Sequence, residues 1–125
     1  MPAMHFLAVF IGGGFGSMTR YFVSRQMLIL FGSAFPVGTL VVNVLGSFLI
    51  GVIATLIANK PQHDLFQFLL ITGFLGGFTT FSAFSLETMK FLLSGNTASA
   101  FLYIFLSIFL CLFFAYLGMQ FTKVL

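Results

Sequence analysis

Side chains that could hold an ion are concentrated in residues 71–87, within a long apolar part of the chain. This stretch, ITGFLGGFTTFSAFSLE, contains three glycines, two adjacent threonines and a Phe–Ser–Ala–Phe–Ser run. Glycine and threonine both lower helix propensity, so residues 76–80 predict an interruption of a helix. In lipid, backbone that leaves a helix must be buried in protein or line a wet cavity, because unsatisfied polar groups are costly there. We therefore predict a broken transmembrane helix at a functional site.

Two phenylalanines, Phe81 and Phe84, follow the predicted interruption and lie about one helical turn apart. This spacing usually indicates ordinary helix packing. The interleaved serines and the adjacent interruption favour a role at an ion pathway instead. Because the edge of an aromatic ring carries partial positive charge, such rings could attract an anion weakly and release it.

Polar residues also recur in the preceding apolar segment, where Thr39, Asn43 and Ser47 are spaced four residues apart and share one helix stripe. An amide in mid-span is costly without a partner. Asn43 therefore predicts either an interhelical hydrogen bond or a donor that faces a conduction path. Its uncharged NH₂ group could donate to an anion without trapping it.

A second polar stripe runs along the last apolar segment, with members again four residues apart: Ser99, Tyr103, Ser107 and Cys111. Hydroxyls on a helix can bond to the carbonyl one turn earlier without further consequence. Together with the stripe that contains Asn43, they could alternatively line a hydrated or anion-conducting track. Both interpretations remain open from the residues alone.

Charged residues are few, and two of them are candidates for function. Arg20 predicts either a side chain that reaches for the membrane interface or a cation that concentrates anions at a pore mouth. Glu87 is, with Asp64, one of two acidic residues. For Glu87 an interfacial anchor is slightly favoured over a pore role. His5 and His63 are not expected to bind a metal.

The composition indicates an all-α integral membrane protein. The 125 residues are 60% hydrophobic and 6% charged, with a mean hydropathy of +1.17, and a span needs roughly 20 apolar residues. Residues 1–125 thus predict a single four-helix transmembrane domain, with no room for a soluble catalytic domain and with helices over about 4–30, 37–58, 65–93 and 98–121. The single cysteine, Cys111, excludes a disulfide framework within the chain. The pair Gly12 and Gly16 predicts close approach of another backbone.

The distribution of positive charges predicts almost no preference for one orientation of the chain in the membrane. Four spans place Lys60 and Lys123 on one side and Arg25 and Lys90, with Arg20 if it reaches that far, on the other. This near balance leaves the positive-inside rule without a preference. The chain could therefore insert both ways and pair head to tail.

Three segments resemble the Fluc (CrcB) fluoride channel family: GGGFGSMTRY at 12–21, GTLVVNVLGSFLIG at 38–51 and GFLGGFTTFSAFSLET at 73–88. The resemblance extends over essentially the whole chain, and the last segment is the most specific. It implies an antiparallel, dual-topology homodimer in the inner (plasma) membrane. Such a dimer would export cytoplasmic fluoride passively through two pores.

The same resemblance implies roles for individual residues. A structural sodium ion at the dimer centre would be bound by the backbone carbonyls of Gly76 and Thr79. The fluoride pathway would use the following side chains: Asn43, Phe81, Phe84, Thr39, Ser107, Tyr103 and Arg20. Cys111 stands where a hydroxyl would be expected to continue the polar track, and a thiol is a weaker donor.

Two other functions compete with this prediction. A small dual-topology, proton-coupled multidrug exporter would need a membrane carboxylate, for which Glu87 is the candidate, and the chain has no tryptophan to stack on a cationic drug. A non-transporting scaffold would use both polar stripes for packing alone. Transport by the purified protein distinguishes all three.

Overall fold

A computed structural model describes residues 2–60 and 64–125 of the chain. All its regular elements are helices: α1 (Pro2–Phe31), α2 (Val37–Ala58), α3 (residues 64–78), α4 (Phe81–Leu93) and α5 (Thr97–Val124). Helices α3 and α4 together form one apolar span, Asp64–Leu93, so the structure contains four helical spans long and apolar enough to cross a membrane. The prediction of an all-α protein with four such spans is confirmed.

Glycines with positive φ end α1 and α4. Gly32 (φ 77°) follows α1 and donates its N–H to the Leu28 carbonyl at 2.8 Å. Gly95 (φ 83°) follows α4, where Gly95 and Asn96 donate to the carbonyls of Leu92 and Phe91. Both arrangements satisfy carbonyls that a helix end leaves free, and only glycine adopts this backbone without strain. The short connections that result turn each helix back against its neighbour.

The third span is less regular than the sequence predicts. Its Gln67–Leu75 segment is a π-helix, followed by one α-helical turn over Gly76–Phe78. Thr79 (φ −90°, ψ 159°) and Thr80 (φ −154°, ψ 115°) are extended, and the Thr80 hydroxyl accepts a hydrogen bond from Ala83 N as the N-cap of α4. The predicted interruption covered residues 76–80, whereas the extended backbone is confined to the two threonines. Gly76 and Gly77 stay helical.

In two pairs of helices, glycines bring the backbones so close that an added β-carbon would overlap a carbonyl oxygen. A β-carbon at Gly12 or Gly16 of α1 would overlap carbonyl oxygens of α3. A β-carbon at Gly51 of α2 or Gly118 of α5 would likewise overlap a carbonyl oxygen of the facing helix. The close approach that the sequence predicts at Gly12 and Gly16 is therefore present, with α3 as the partner.

Large apolar side chains lie mostly on the outside. The buried apolar cluster is small, formed by Val42, Leu75 and Phe78, while Phe6 and Phe10 are each 78% exposed. Exposed apolar residues on this scale suit a helix bundle surrounded by lipid tails, because there the solvent is itself apolar.

Candidate functional site

The extended connection between α3 and α4 is held by Asn43 of α2. The Asn43 amide donates from Nδ2 to the Thr80 carbonyl oxygen at 3.1 Å, and Thr80 N–H donates to Asn43 Oδ1 at 2.8 Å. Both backbone polar groups of Thr80 are thereby satisfied where no helix satisfies them. Asn43 thus makes the interhelical bond that was one of its two predicted roles. One of its two amide hydrogens is not used in this pairing.

Arg20 binds the end of α3. Its Nε donates to the Gly77 carbonyl oxygen at 2.8 Å, and the side chain is partly buried. A cation at a helix C-terminus compensates free carbonyls and the negative end of the helix dipole. This places Arg20 beside the extended connection, but not on the wall of either cavity described below.

Two carbonyl oxygens beside the connection have no donor. Within residues 2–60 and 64–125, no hydrogen bond reaches the carbonyl oxygens of Gly76 and Thr79. Main-chain oxygens without a donor, at a helix end and in extended backbone, suit a hard cation such as sodium. The part of the chain that the structure describes contains no group of three or more His, Cys, Asp or Glu side chains that could hold a metal. The donor set therefore fits a cation bound by main chain.

A cavity of about 370 Å³, the first cavity, opens beside the connection. Its wall includes several of the predicted site residues, namely Asn43, Gly76, Thr79, Phe81, Phe84 and Ser107. The rings of Phe81 and Phe84 lie 5.2 Å apart at 44°, with Phe81 77% exposed and Phe84 9% exposed. The two phenylalanines thus present an exposed ring and a buried ring to one cavity.

Ser107 contributes an unpaired hydroxyl to the first cavity. Ser107 is 7% exposed, and its Oγ is a buried polar atom without a hydrogen-bond partner among the described residues. Other hydroxyls, such as those of Thr55 and Thr88, bond to the carbonyl one turn earlier. The Ser107 hydroxyl makes no such bond, so local bonding to its own helix does not explain this member of the α5 stripe. A buried hydroxyl left unpaired costs about 1–3 kcal/mol, so this one is available to a ligand.

The Glu87 carboxylate accepts hydrogen bonds from two residues of the predicted fluoride pathway. Thr39 Oγ1 donates to Glu87 Oε2 at 2.9 Å, and Tyr103 OH donates to Glu87 Oε1 at 2.7 Å. Thr39 is 7% exposed and Tyr103 is fully buried. The Glu87 carboxylate therefore joins α2, α4 and α5, a role that neither of the two interpretations, an interfacial anchor or a pore residue, included. An acidic residue in a span is a functional candidate by default, and that signal could have identified it.

A second cavity, of about 540 Å³, has Glu87 in its wall. Its wall contains Thr39, Glu87 and Lys90 together with residues of the α1–α2 connection. Phe84 lines the first cavity, and Glu87, three residues later on α4, lines the second. The Phe84 and Tyr103 rings lie 5.2 Å apart. Contacts through Tyr103 thus connect Phe84 of the first cavity wall to Glu87 of the second.

The histidines lie away from both cavities or outside the described residues. The His5 ring stacks on Phe68 with centroids 4.4 Å apart. His63 lies outside the described residues.

Comparison with known proteins gives consistent matches along the chain. Residues 7–119 match the sequence family described as CrcB-like protein, Camphor Resistance (CrcB). A Coxiella burnetii protein is 44% identical over 117 residues, which is 92% of this chain and 94% of the relative. A Shewanella woodyi protein is 48% identical over 114 residues (91% and 92%), and a Rhizobium etli protein is 46% identical over 120 residues (95% and 96%). Each of these three relatives is named Fluoride-specific ion channel FluC.

Proposed function

Because this chain belongs to the CrcB family, we propose that it is a fluoride-selective ion channel of the cell's inner membrane that lets cytoplasmic fluoride leave passively. The observation that carries the proposal is the first cavity. There, amide, hydroxyl and aromatic side chains meet in a wall that carries no basic side chain among its described residues. Such groups can replace the hydration of a small anion without binding it so tightly that it cannot leave.

The proposed pathway begins at the first cavity. Fluoride would accept a hydrogen bond from the unpaired Ser107 hydroxyl and from the unused amide hydrogen of Asn43. The edges of Phe81 and Phe84 would attract it weakly. Several weak sites in succession suit conduction better than one deep site.

The pathway would continue past Phe84 to the hydroxyls of Thr39 and Tyr103. Glu87 accepts from both hydroxyls, so it fixes where these donors lie. To donate to fluoride, either hydroxyl must turn away from the carboxylate. Glu87 therefore accepts these hydrogen bonds when no fluoride is bound. Its negative charge repels a bound anion and so favours its release.

Arg20 would raise the local anion concentration beside the extended connection. Its bond to Gly77 uses Nε, while the charge of the whole guanidinium persists. A fixed cation near a cleft increases the local concentration of anions by focusing the field. This is a steering role, without direct contact in the first cavity.

We further propose that two copies pair antiparallel, with dual topology, and that each dimer contains two pores. The near balance of Arg and Lys between the two sides supports insertion in both orientations. The unpaired carbonyl oxygens of Gly76 and Thr79, from both copies, would hold a structural sodium ion that is not transported. When bound, this ion would be the electrostatic partner of the carbonyl oxygens that have no hydrogen-bond donor.

Reconstituted protein tests the proposed function directly. Liposomes loaded with potassium fluoride should release fluoride rapidly once a potassium ionophore removes the opposing voltage, as measured with a fluoride electrode, and chloride should stay inside. No imposed proton gradient should be needed. Dependence on such a gradient would support the exporter, and absence of any efflux would support the scaffold.

Sodium provides a second measurement. With sodium replaced by a large organic cation during purification and assay, we expect fluoride efflux to fall and the dimer to dissociate more readily in detergent. Equal efflux and equal dimer stability in both buffers would remove the sodium site from the proposal while leaving the channel intact.

Phe81→Ala is expected to lower fluoride efflux about tenfold, which corresponds to about 1.4 kcal/mol and lies within the range of aromatic interactions. The change should leave the fold intact, because Phe81 is 77% exposed. Phe6→Ala is the matched control, since Phe6 is 78% exposed and lies on α1 away from both cavities. Equal efflux from the two variants would argue against Phe81 in the pathway.

A further inference from the structure

The second cavity contains opposite charges on one helix face. Among the described residues of its wall, the charged ones are Glu87 and Lys90, three residues apart on α4. Residues at this spacing are neighbours on a helix surface. The rest of the polar wall is uncharged and includes the hydroxyls of Ser24, Ser33 and Ser94.

The two charges are held differently. Both Glu87 oxygens accept hydrogen bonds, from Thr39 and Tyr103, and the residue is half-buried. Lys90 is exposed, and its ammonium takes part in none of the side-chain hydrogen bonds recorded for the described residues. The negative charge is thus held in place by two hydrogen bonds, and the positive charge has no such partner among the described residues.

A fixed carboxylate alone would repel an anion that enters this cavity, because little water screens a half-buried charge. We propose that Lys90 offsets the charge of Glu87, so that the second cavity is the other mouth of the anion pathway and Lys90 draws fluoride into it. This inference rests on the proposed function and adds a residue and an entrance to it. Lys90 acts through the field and does not need to touch the ion.

Lys90 also has an ordinary structural role available. It lies in the last turn of α4, where a cation stabilises the helix end and can reach the membrane interface. That role predicts a lower stability of the Lys90 variant and no change in fluoride efflux from an equal amount of folded protein. The salt dependence of efflux at matched folded content therefore separates the two roles.

The test is fluoride efflux from liposomes that contain full-length Lys90→Gln, with an inert salt of an impermeant anion at about 10 mM and at about 1 M, where the Debye length is about 30 Å and about 3 Å. At low salt we expect the initial rate to fall about fivefold relative to the unchanged protein, less than the roughly 10- to 10³-fold that a whole charged cleft supplies, because a single charge is removed. At high salt the difference should shrink to less than about 1.5-fold as screening removes the field. Lys90→Arg, which keeps the charge, should restore the rate at low salt.

Arg25→Gln is the matched control. Arg25 is an exposed cation on α1, between two residues of the same cavity wall in sequence, Ser24 and Leu28, but it is not on the wall itself. Its loss should lower the rate at low salt clearly less than the loss of Lys90 does, because its side chain is not on the wall. An unchanged rate for Lys90→Gln at low salt, an equal fractional loss at both salts, or an equal loss in Arg25→Gln would overturn the assignment of Lys90. If the unchanged protein passes no fluoride, the proposed function fails and this inference fails with it.

Discussion

Gly16→Ala is expected to remove most of the folded protein. A β-carbon at Gly16 would overlap the Phe74 carbonyl oxygen and lie 2.9 Å from the Phe74 carbonyl carbon and 3.0 Å from Phe78 N. All three atoms are backbone, so no rotamer change relieves the overlap and α1 must move away from α3. Overpacking typically costs about 1–3 kcal/mol and sometimes more, and we expect a cost at or above the upper end here. Folded yield in detergent, measured by size-exclusion profile and thermal unfolding, should fall at least tenfold.

Gly14→Ala is the control for this experiment. Gly14 lies two residues away on the same helix, and a β-carbon there would meet nothing within 4 Å. Alanine should be neutral or should stabilise the helix by about 0.5–1 kcal/mol. If both variants fold equally well, the close contact between α1 and α3 is not present in the protein.

Asn43→Ala is expected to reduce fluoride efflux about 100-fold while the protein still folds. The change leaves the N–H and C=O of Thr80 without partners, at about 1–3 kcal/mol for each group. The connection between α3 and α4 would then rearrange to pair these groups elsewhere, and Thr80 and Phe81 would leave their places on the first cavity. A loss of about 2.8 kcal/mol in the conducting arrangement corresponds to a factor of 100. Efflux from liposomes at matched protein content measures the effect.

Two further variants complete this measurement. Asn59→Ala removes an exposed amide beyond the end of α2 and should conduct normally. Asn43→Asp keeps an acceptor for Thr80 N–H but replaces the donor to the Thr80 carbonyl with a negative charge, so it should conduct no better than the alanine variant. Normal efflux from both Asn43 variants would exclude the amide from support of the pathway.

The four apolar spans follow from composition and segment length, and the structure confirms them. The family resemblance, drawn from the residues around Arg20, Asn43 and Phe81, is confirmed by the match over residues 7–119. The glycine pair on α1 also predicted a close backbone approach, which the structure contains. These features depend on local composition and spacing, which can be read directly from a single sequence.

Contacts between distant residues could not be predicted in the same way. Asn43 and Thr80 are 37 positions apart, Thr39 and Glu87 are 48 apart, and Arg20 and Gly77 are 57 apart. Helical spacing assigns residues to a stripe but does not state how each helix is rotated against its neighbours. For this reason the stripes were recognised, but Glu87 as the shared acceptor and Arg20 as the partner of Gly77 were not.

The π-helical Gln67–Leu75 segment was also missed. Its residues are mostly apolar and compatible with an α-helix, and a π-helix has no distinct composition. The pairing of two copies, the number of pores and the sodium ion stay predictions of the family resemblance. The measurements of efflux and dimer stability proposed above address them.

The glycines that join α1 to α3 and α2 to α5 limit how this gene can vary. Any single-base change in a glycine codon that alters the amino acid introduces at least one additional carbon atom. At Gly12, Gly16, Gly51 and Gly118 that carbon would collide with a main-chain oxygen of the adjoining helix. No such single-base substitution at these positions is therefore expected to be tolerated. A tolerated substitution would require a compensating change in the facing helix at the same time.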